Sequence, residues 1–353
     1  MKYRWLLFGV VLCCFSRLAW GLNLGTVFNI YRTPKTGLLI AVGDLNFTGE
    51  LGRRIVANPD YPWYYVKPIL NRATVLMGNL EVPFSNRGKP YVPKTWILKA
   101  DPRTVRALVT AGFDLVTLAN NHIMDYGPLS LQDTLITLRK AKIEASGAGM
   151  SLDEARQPAF IKTPSGVTLA FLAYSSTYPA EFWATPDRPG TAYANPAFFL
   201  ADIGAAKARA DHVIVSFHWS NELKTIPSHY QIQYAHQCID AGASLVVGHH
   251  PHVLQGFEAY HGGLIAYSLG NFAFGSLTAK VSDSAILAVT YTGQKLLQAT
   301  IYPVNVQNYQ VNYQTRPRLG VESIQTLQKV QTLSQPFKTS ILIKNGVGVI
   351  IIK

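Results

Sequence analysis

Cysteine is scarce in this chain: it has three in 353 residues, and two of them, Cys13 and Cys14, fall in an apolar N-terminal stretch. Removal of that stretch would leave Cys238 alone. No intrachain disulfide could then brace the fold, even in an oxidising compartment. Charge is also sparse, at 15% Asp, Glu, Lys and Arg, yet the balance is +12. No block of five or six basic residues occurs. That argues against a nucleic-acid groove and leaves two readings: affinity for anionic surfaces or substrates, or a soluble basic protein of an outer compartment. A Gly-rich phosphate loop closed by Lys-Ser/Thr is missing, which excludes an ATP-driven ligase acting on its own. A Gly-x-Ser-x-Gly elbow, the mark of many serine hydrolases, is missing too. There is no internal repeat and no low-complexity tract.

What is present starts with an export pattern. Lys2 and Arg4 precede an apolar run from Trp5 to Phe15, and Ala19-Trp20-Gly21 offers a cut after Gly21. Arg17 interrupts the run, making it short for a membrane span. Leu12 is a poor neighbour for lipoprotein cleavage at Cys13. Residues 1–21 are expected to be a signal peptide, with an uncleaved anchor as the alternative, and residues 22–37 a lead-in segment. The protein is therefore expected to be exported, to a periplasmic or cell-envelope location.

Beyond the lead-in, apolar runs of strand length alternate with helical ones, which argues for a layered α/β core. Helices are expected from Asp101-Pro102 to Ala111, from Pro128 to Ala141 with Leu129, Leu131, Leu135 and Leu138 available for its apolar face, from Asn195-Pro196 towards Ala210 and from His229 to Ala241. Cys238 lies on the last of these as a buried core thiol. Leu264–Leu269, Ala285–Tyr291, Gln298–Val304 and Val347–Ile352 read as strands, with a helix over Glu322–Leu333. The second half thus completes a sheet sandwich without a new domain. The aromatic stretch Thr177–Ala194 either lines a cleft or packs as a surface flap.

The endings of the strand-like runs carry the chemistry. Leu38–Val42 leads to Gly43-Asp44, and Ala73–Met77 to Asn79-Leu80-Glu81. Phe113–Leu118 leads to Asn120-Asn121-His122, and His212–Phe217 to His218. Ala243–Val247 leads to Gly248-His249-His250-Pro251-His252. α/β folds bind ligands outside the carboxyl ends of their strands. If these strands are neighbours, Asp44, Glu81, Asn121, His218, His250 and His252 converge at one edge as metal ligands. Oxygen and imidazole donors of this kind suit two divalent cations, which clamp the attacking and leaving oxygens of a phosphate ester. His122, beside Asn121, suits the catalytic role of proton transfer or charge stabilisation. Supporting or substrate-contacting roles fall to Asn79, Asn120 and His249, and to Glu222 either as a partner of His218 or as an exposed loop acid. Ser268 and Asn271 are expected to shape the loop beneath the site.

Taken in order, Gly43-Asp44, Asn79-Leu80-Glu81, Asn120-Asn121-His122 with Asp125 and Gly127, His218-Trp219 with Glu222, Gly248–Val253 with Gln255, and Tyr267–Phe272 resemble the CapA family of bacterial capsule or poly-γ-glutamate synthesis proteins. The resemblance spans roughly residues 38 to 275. It implies that residues 38–353 form a CapA-like domain similar to the calcineurin-like metallophosphoesterases: a layered sandwich of two β-sheets flanked by helices. It further implies two divalent cations of Mn, Fe or Zn type, an anionic polymer as partner, and membrane-associated capsule-synthesis components. A metal-dependent phosphoesterase acting on envelope or nucleotide phosphoesters is the alternative, and a non-catalytic polymer-binding module is a third reading. Two positions depart from the wider superfamily. Asn46 stands where its first motif has His, and Asn79 stands where its bridging Asp falls, with Glu81 two residues on as the substitute bridge.

Overall fold

The structure, a computed structural model, describes residues 36–353 apart from residue 294. The expected signal peptide, and the lead-in as far as residue 35, lie outside the described residues. The described residues form one compact unit. Among the described residues no helix is long and apolar enough to cross a membrane.

Two large sheets carry the unit. In the first, of ten strands, Leu342–Lys344, Val347–Ile351, Lys295–Asn305, Asp283–Thr292, Thr36–Asn46, Val75–Leu80, Leu115–Thr117 and Glu144–Ser146 lie side by side; Asn271–Phe274 and Arg316–Pro317 attach to Thr36–Asn46 and Lys295–Asn305. The second has six: Phe257–Tyr260, Gly263–Ala266, Leu245–His249, His212–His218, Thr168–Ser175 and Ala159–Lys162. Thr36–Asn46 runs parallel to Val75–Leu80, and His212–His218 runs parallel to both of its neighbours.

Why the central strands read as unbroken apolar runs follows from their surroundings. Successive side chains point to opposite faces of a sheet. Leu39, Ala41, Val75 and Met77 meet Phe171, Ile214, Leu245 and Val247 in the layer between the two sheets. Their alternates Ile40, Val42 and Leu76 face outward, onto Leu51, Ile55, Leu108, Leu131 and Leu138 from the helices Gly49–Ala57, Val105–Ala111 and Gly127–Lys140. On the other side Val213, Val215 and Val246 face Phe199, Ile203, Ala235 and Cys238 from Pro196–Lys207 and His229–Asp240. With both faces covered, neither side of a strand can be polar. The result is the expected sandwich of two sheets flanked by helices. The Gly320–Ser334 helix adds Leu327 and Val330 to the layer between the sheets.

Two expectations are corrected, and two elements were not foreseen. Leu129, counted towards an apolar face, is half exposed, because Leu131 and Leu138 provide the buried stripe of that helix. The Thr168–Ser175 strand, central to the second sheet, and the Gly49–Ala57 helix were not foreseen. The expected Leu264–Leu269 strand stops at Ala266, because Tyr267 to Gly270 leaves its own sheet and crosses towards the first.

Candidate metal centre

Register sets the level of the site. In the first sheet Asp44 lies opposite Asn79, which lies opposite Thr117. In the second, Ser175 lies opposite His218, which lies opposite His249. The two rows are joined by the segment Tyr267–Asn271. Gly270 O accepts from Asp44 N at 3.0 Å, and Leu269 N donates to Gly248 O at 3.3 Å. This crossing explains Gly43 and Gly248. A Cβ on Gly43 would run into Gly270 O, and one on Gly248 into Tyr267 O. Only glycine permits so close an approach of two backbones.

The convergence expected from the strand endings is present. Ligand atoms of Glu81, His218 and His250 lie within 4.8 Å of one another, and so do those of Asp44, Glu81 and His252. Glu81 belongs to both groups. Its Oε1 is 3.4 Å from His218 Nε2 and 3.9 Å from His252 Nε2. Asn121 Oδ1 lies 2.8 Å from His218 Nε2, so it reaches the same place. The His218 and His250 rings stand 4.7 Å apart.

A net of side-chain amides orients the carboxylates. Asn79 Nδ2 donates to Asp44 Oδ1 at 2.8 Å, while Asn79 Oδ1 accepts from Asn120 Nδ2 at 3.2 Å. Asn120 Nδ2 also donates to Leu80 O, and its Oδ1 accepts from the backbone N–H of His122 and Ile123. Asn46, at the position of the superfamily's His, accepts from Thr48 N at 3.1 Å and so closes the turn after its strand. His249 is buried with Nδ1 3.2 Å from Asp44 Oδ1. His252 Nδ1 lies 2.8 Å from Asn271 Oδ1 and 3.2 Å from Asp44 Oδ2. Asn271 thus holds a ring of the site as well as shaping the loop. Glu222 is exposed, and its charge reaches Glu81, Lys94 and His252 only through space. Ion pairing between Glu222 and His218 is not part of the structure.

The protonation pattern divides the site. Burial alone would raise the Asp44 carboxyl, but hydrogen bonds and charge from His249 and His252 outweigh it and hold the group well below its usual range. Burial and then the Asp44 charge push Glu81 well above it. Burial, reinforced by the neighbouring imidazole His250, pushes His218 down. Burial, reinforced by His252, pushes His250 down to about 3. For His252 burial acts downward, yet the charges of Glu81 and Asp44 raise it to about 10.

Both oxygens of Glu81 are buried without a hydrogen-bond partner, as is Nδ1 of His250. Leaving a buried carboxylate bare costs several kcal/mol, on the order of the penalty for an unpaired buried charge. The donor set of carboxylates, imidazoles and one carboxamide is what a divalent cation needs to offset that cost. The residues present therefore fit such a cation.

At the rim, His122 Nδ1 lies 2.7 Å from Asp125 Oδ2, and Lys94 Nζ donates to Asp125 Oδ1 at 2.6 Å. Burial lowers the His122 ring below its usual range, against the opposing pull of Asp125. Lys94 is the site residue that sequence reasoning missed. It sits in the irregular stretch between Phe84 and Ala100, where no periodicity points to it. The aromatic stretch divides its roles. Phe182 is buried with its ring centroid 5.0 Å from Lys94 Nζ, while Tyr178 is exposed.

An α/β sandwich whose two sheets meet at a buried carboxylate–imidazole cluster defines a class of protein with a candidate centre for divalent cations. Within that class, the chain belongs to the bacterial capsule synthesis protein family PGA_cap, whose pattern matches residues 38–276. Capsule biosynthesis protein CapA of Bacillus anthracis is 34% identical over 286 residues, 78% of this chain and 69% of that one. PGA biosynthesis protein CapA of Bacillus subtilis (strain 168) is 37% identical over 229 residues, 65% of this chain and 60% of that one. The chain thus spans about two thirds of the length of these relatives or somewhat less. Among solved structures, the calcineurin-like phosphoesterase YfkN from Bacillus subtilis matches 74% of this chain and 87% of that one at 12% identity, with a TM-score of 0.39. A likeness that distant carries no argument about chemistry.

Proposed function

We propose that this protein acts in the synthesis or export of an anionic capsular polymer such as poly-γ-glutamate, through a hydrolase-type site that holds two divalent cations. The observation that carries the reading is Glu81: a buried carboxylate, common to both ligand clusters, with neither oxygen satisfied. Glu81 with His218, His250 and Asn121 would hold one cation, and Glu81 with Asp44 and His252 the other. Bound cations of Mn, Fe or Zn type polarise a phosphoryl or acyl oxygen and generate a nucleophile from water near neutral pH.

The chain's own residues supply the rest. Asn79 and Asn120 keep Asp44 and the His122 turn in register. Asn271 turns His252 so that its Nε2 faces Glu81. Asp125 holds Nδ1 of His122, so Nε2 is the atom that exchanges a proton with substrate. The +12 balance favours an anionic polymer as partner. The names of the two relatives, which speak of capsule and PGA biosynthesis, support a place in the cell envelope; membrane-associated capsule-synthesis components as partners and export through the N-terminal segment complete the proposal.

Elemental analysis of the purified protein, followed by turnover assays on poly-γ-glutamate chains and on phosphoesters, tests the reading. Cation-dependent cleavage of the polymer supports it. Cleavage of phosphoesters alone would move the function to an envelope or nucleotide phosphoesterase. Polymer binding without turnover would make the domain a binding module, and a protein that takes up no divalent cation overturns the site.

A further inference from the structure

The stretch between Phe84 and Ala100 has almost no regular structure, yet it is pinned at both ends and in the middle. Its neck is closed by Ala100 N donating to Pro83 O at 3.0 Å and Ser85 N donating to Ala100 O at 3.2 Å. Its middle is fastened to one residue of the His122 turn. Tyr91 N donates to Asp125 O at 2.9 Å, Leu98 N to Asp125 Oδ2 at 2.7 Å and Lys94 Nζ to Asp125 Oδ1 at 2.6 Å. The Asp125 side chain is completely buried, and that of Lys94 is 14% exposed. Lys94 also donates to Asn121 O.

These donors leave little freedom. The Asp125 carboxyl accepts from an ammonium at one oxygen and from a backbone N–H at the other, so it stands as the acceptor among its partners. His122 Nδ1, 2.7 Å from Asp125 Oδ2, must then be the donor. Lys94 Nζ is 3.3 Å from the same Nδ1, but two donors cannot bond each other, so Lys94 reaches the ring only through Asp125. The second ring nitrogen is left with a lone pair.

We propose that Lys94 is a positioning residue for His122: by clamping Asp125 it keeps the hydrogen of the neutral imidazole on Nδ1 and leaves Nε2 unprotonated towards the site. The tautomer claim stands on this geometry alone. Its consequence for turnover rests on the hydrolase reading above. A purely structural role for Lys94 would rest on its Nζ standing 5.0 Å from the Phe182 ring centroid, a place a methionine thioether can fill against the ring. The ammonium is what methionine removes.

The test uses full-length, zinc-loaded protein labelled with 15N in its imidazoles. His122→Gln assigns the His122 resonances, and thermal unfolding confirms that each variant is folded. In the wild type, the neutral His122 ring should show a single tautomer protonated at Nδ1. Lys94→Met should lose that signature, and Lys94→Arg, whose guanidinium can still donate to Asp125, should keep it. Where the site turns over substrate, Lys94→Met should lower kcat by about 10²-fold, the usual cost of a misplaced reacting group, with KM nearly unchanged. Should Lys94→Met fail to fold, Lys94→Leu, which likewise has no donor, carries the same comparison and should still disturb the signature. An unchanged His122 signature in the folded Lys94→Met or Lys94→Leu protein overturns the proposal, as does its loss in folded Lys94→Arg. If no substrate is turned over, the hydrolase reading fails while the tautomer comparison still decides the role of Lys94.

Discussion

The two halves of the site are built differently. The first sheet brings oxygen: Asp44, Glu81 and the carboxamides Asn79, Asn120 and Asn121 stand at or just beyond strand ends. The second brings nitrogen: His218 and His249 close their strands, and His250 and His252 follow on a loop. On the oxygen side the amides satisfy one another and Asp44, so the arrangement holds itself. The imidazole loop holds itself less well. His250 has φ +92° and His252 φ +59°, a region that residues other than glycine seldom occupy. Such strain persists only where the surroundings impose it. Here they are Asp44, which accepts from His250 N at 3.3 Å, and Asn271, which meets His252. The oxygen half is a scaffold, and the imidazole half leans on it.

Glu81 is where the comparison breaks most severely, because it is the one oxygen-side residue with no internal partner. Glu81→Gln should lower cation content below that of the wild type and weaken binding by about 10²-fold or more, as loss of a charged ligand exceeds loss of an outer partner. In chelated protein the same change should raise the melting temperature, since it replaces an acid group whose charged form burial and Asp44 both disfavour. Full cation loading of the variant would remove Glu81 from the ligand set. Next comes His122→Ala. It should leave cation content intact while lowering turnover by about 10²-fold or more, the usual size of a proton-transfer contribution. Loss of cation together with activity would make His122 a ligand.

How much of this was legible in the sequence depended on burial and regularity. Strands covered on both faces must be apolar throughout, so Leu38–Val42 and Ala243–Val247 stood out, and the polar residues that end them were conspicuous. The layered α/β core could be read from that, and so could the convergence of six donors on the condition that the strands are neighbours; two sheets flanked by helices came from the resemblance to the CapA family. Thr168–Ser175 escaped because it mixes Ala, Thr, Tyr and Ser with fewer branched residues, although both its faces are buried. Lys94 escaped for a different reason: a lysine in an irregular segment looks solvated until the fold closes over it. Asn46 was visible as a missing imidazole, but its turn-closing bond to Thr48 needed coordinates.

The dependence of the imidazole half on its surroundings should also be visible in acid. His250 is pushed down to about 3 in the folded chain, from an unfolded value near 6.5. As pH falls below about 6.5 the unfolded chain takes up a proton there and the folded chain does not, so stability declines until pH reaches about 3. Chelated wild type should therefore lose stability over that window, and His250→Gln should flatten the slope. Equal slopes in denaturant titrations at several pH values would sink the claim that His250 is held neutral.

The smallest effect should come from Asn79. It stands where a bridging Asp would be expected, but a carboxamide is neutral and cannot bridge two cations as a carboxylate does. Its bonds explain what it does instead. Nδ2 aims Asp44 Oδ1, and lies 3.3 Å from His218 Nδ1, while Oδ1 receives Asn120. It therefore ties the oxygen half to the first imidazole of the other half. Asn79→Ala should leave cation content near the wild-type level at saturating metal and reduce turnover by about 10-fold, the lower end of what losing an outer orienting partner costs. Cation titration beside Glu81→Gln makes the contrast direct. A loss of stoichiometry in Asn79→Ala as large as that in Glu81→Gln would place Asn79 among the ligands, and the oxygen half would then be less self-supporting than its hydrogen bonds imply.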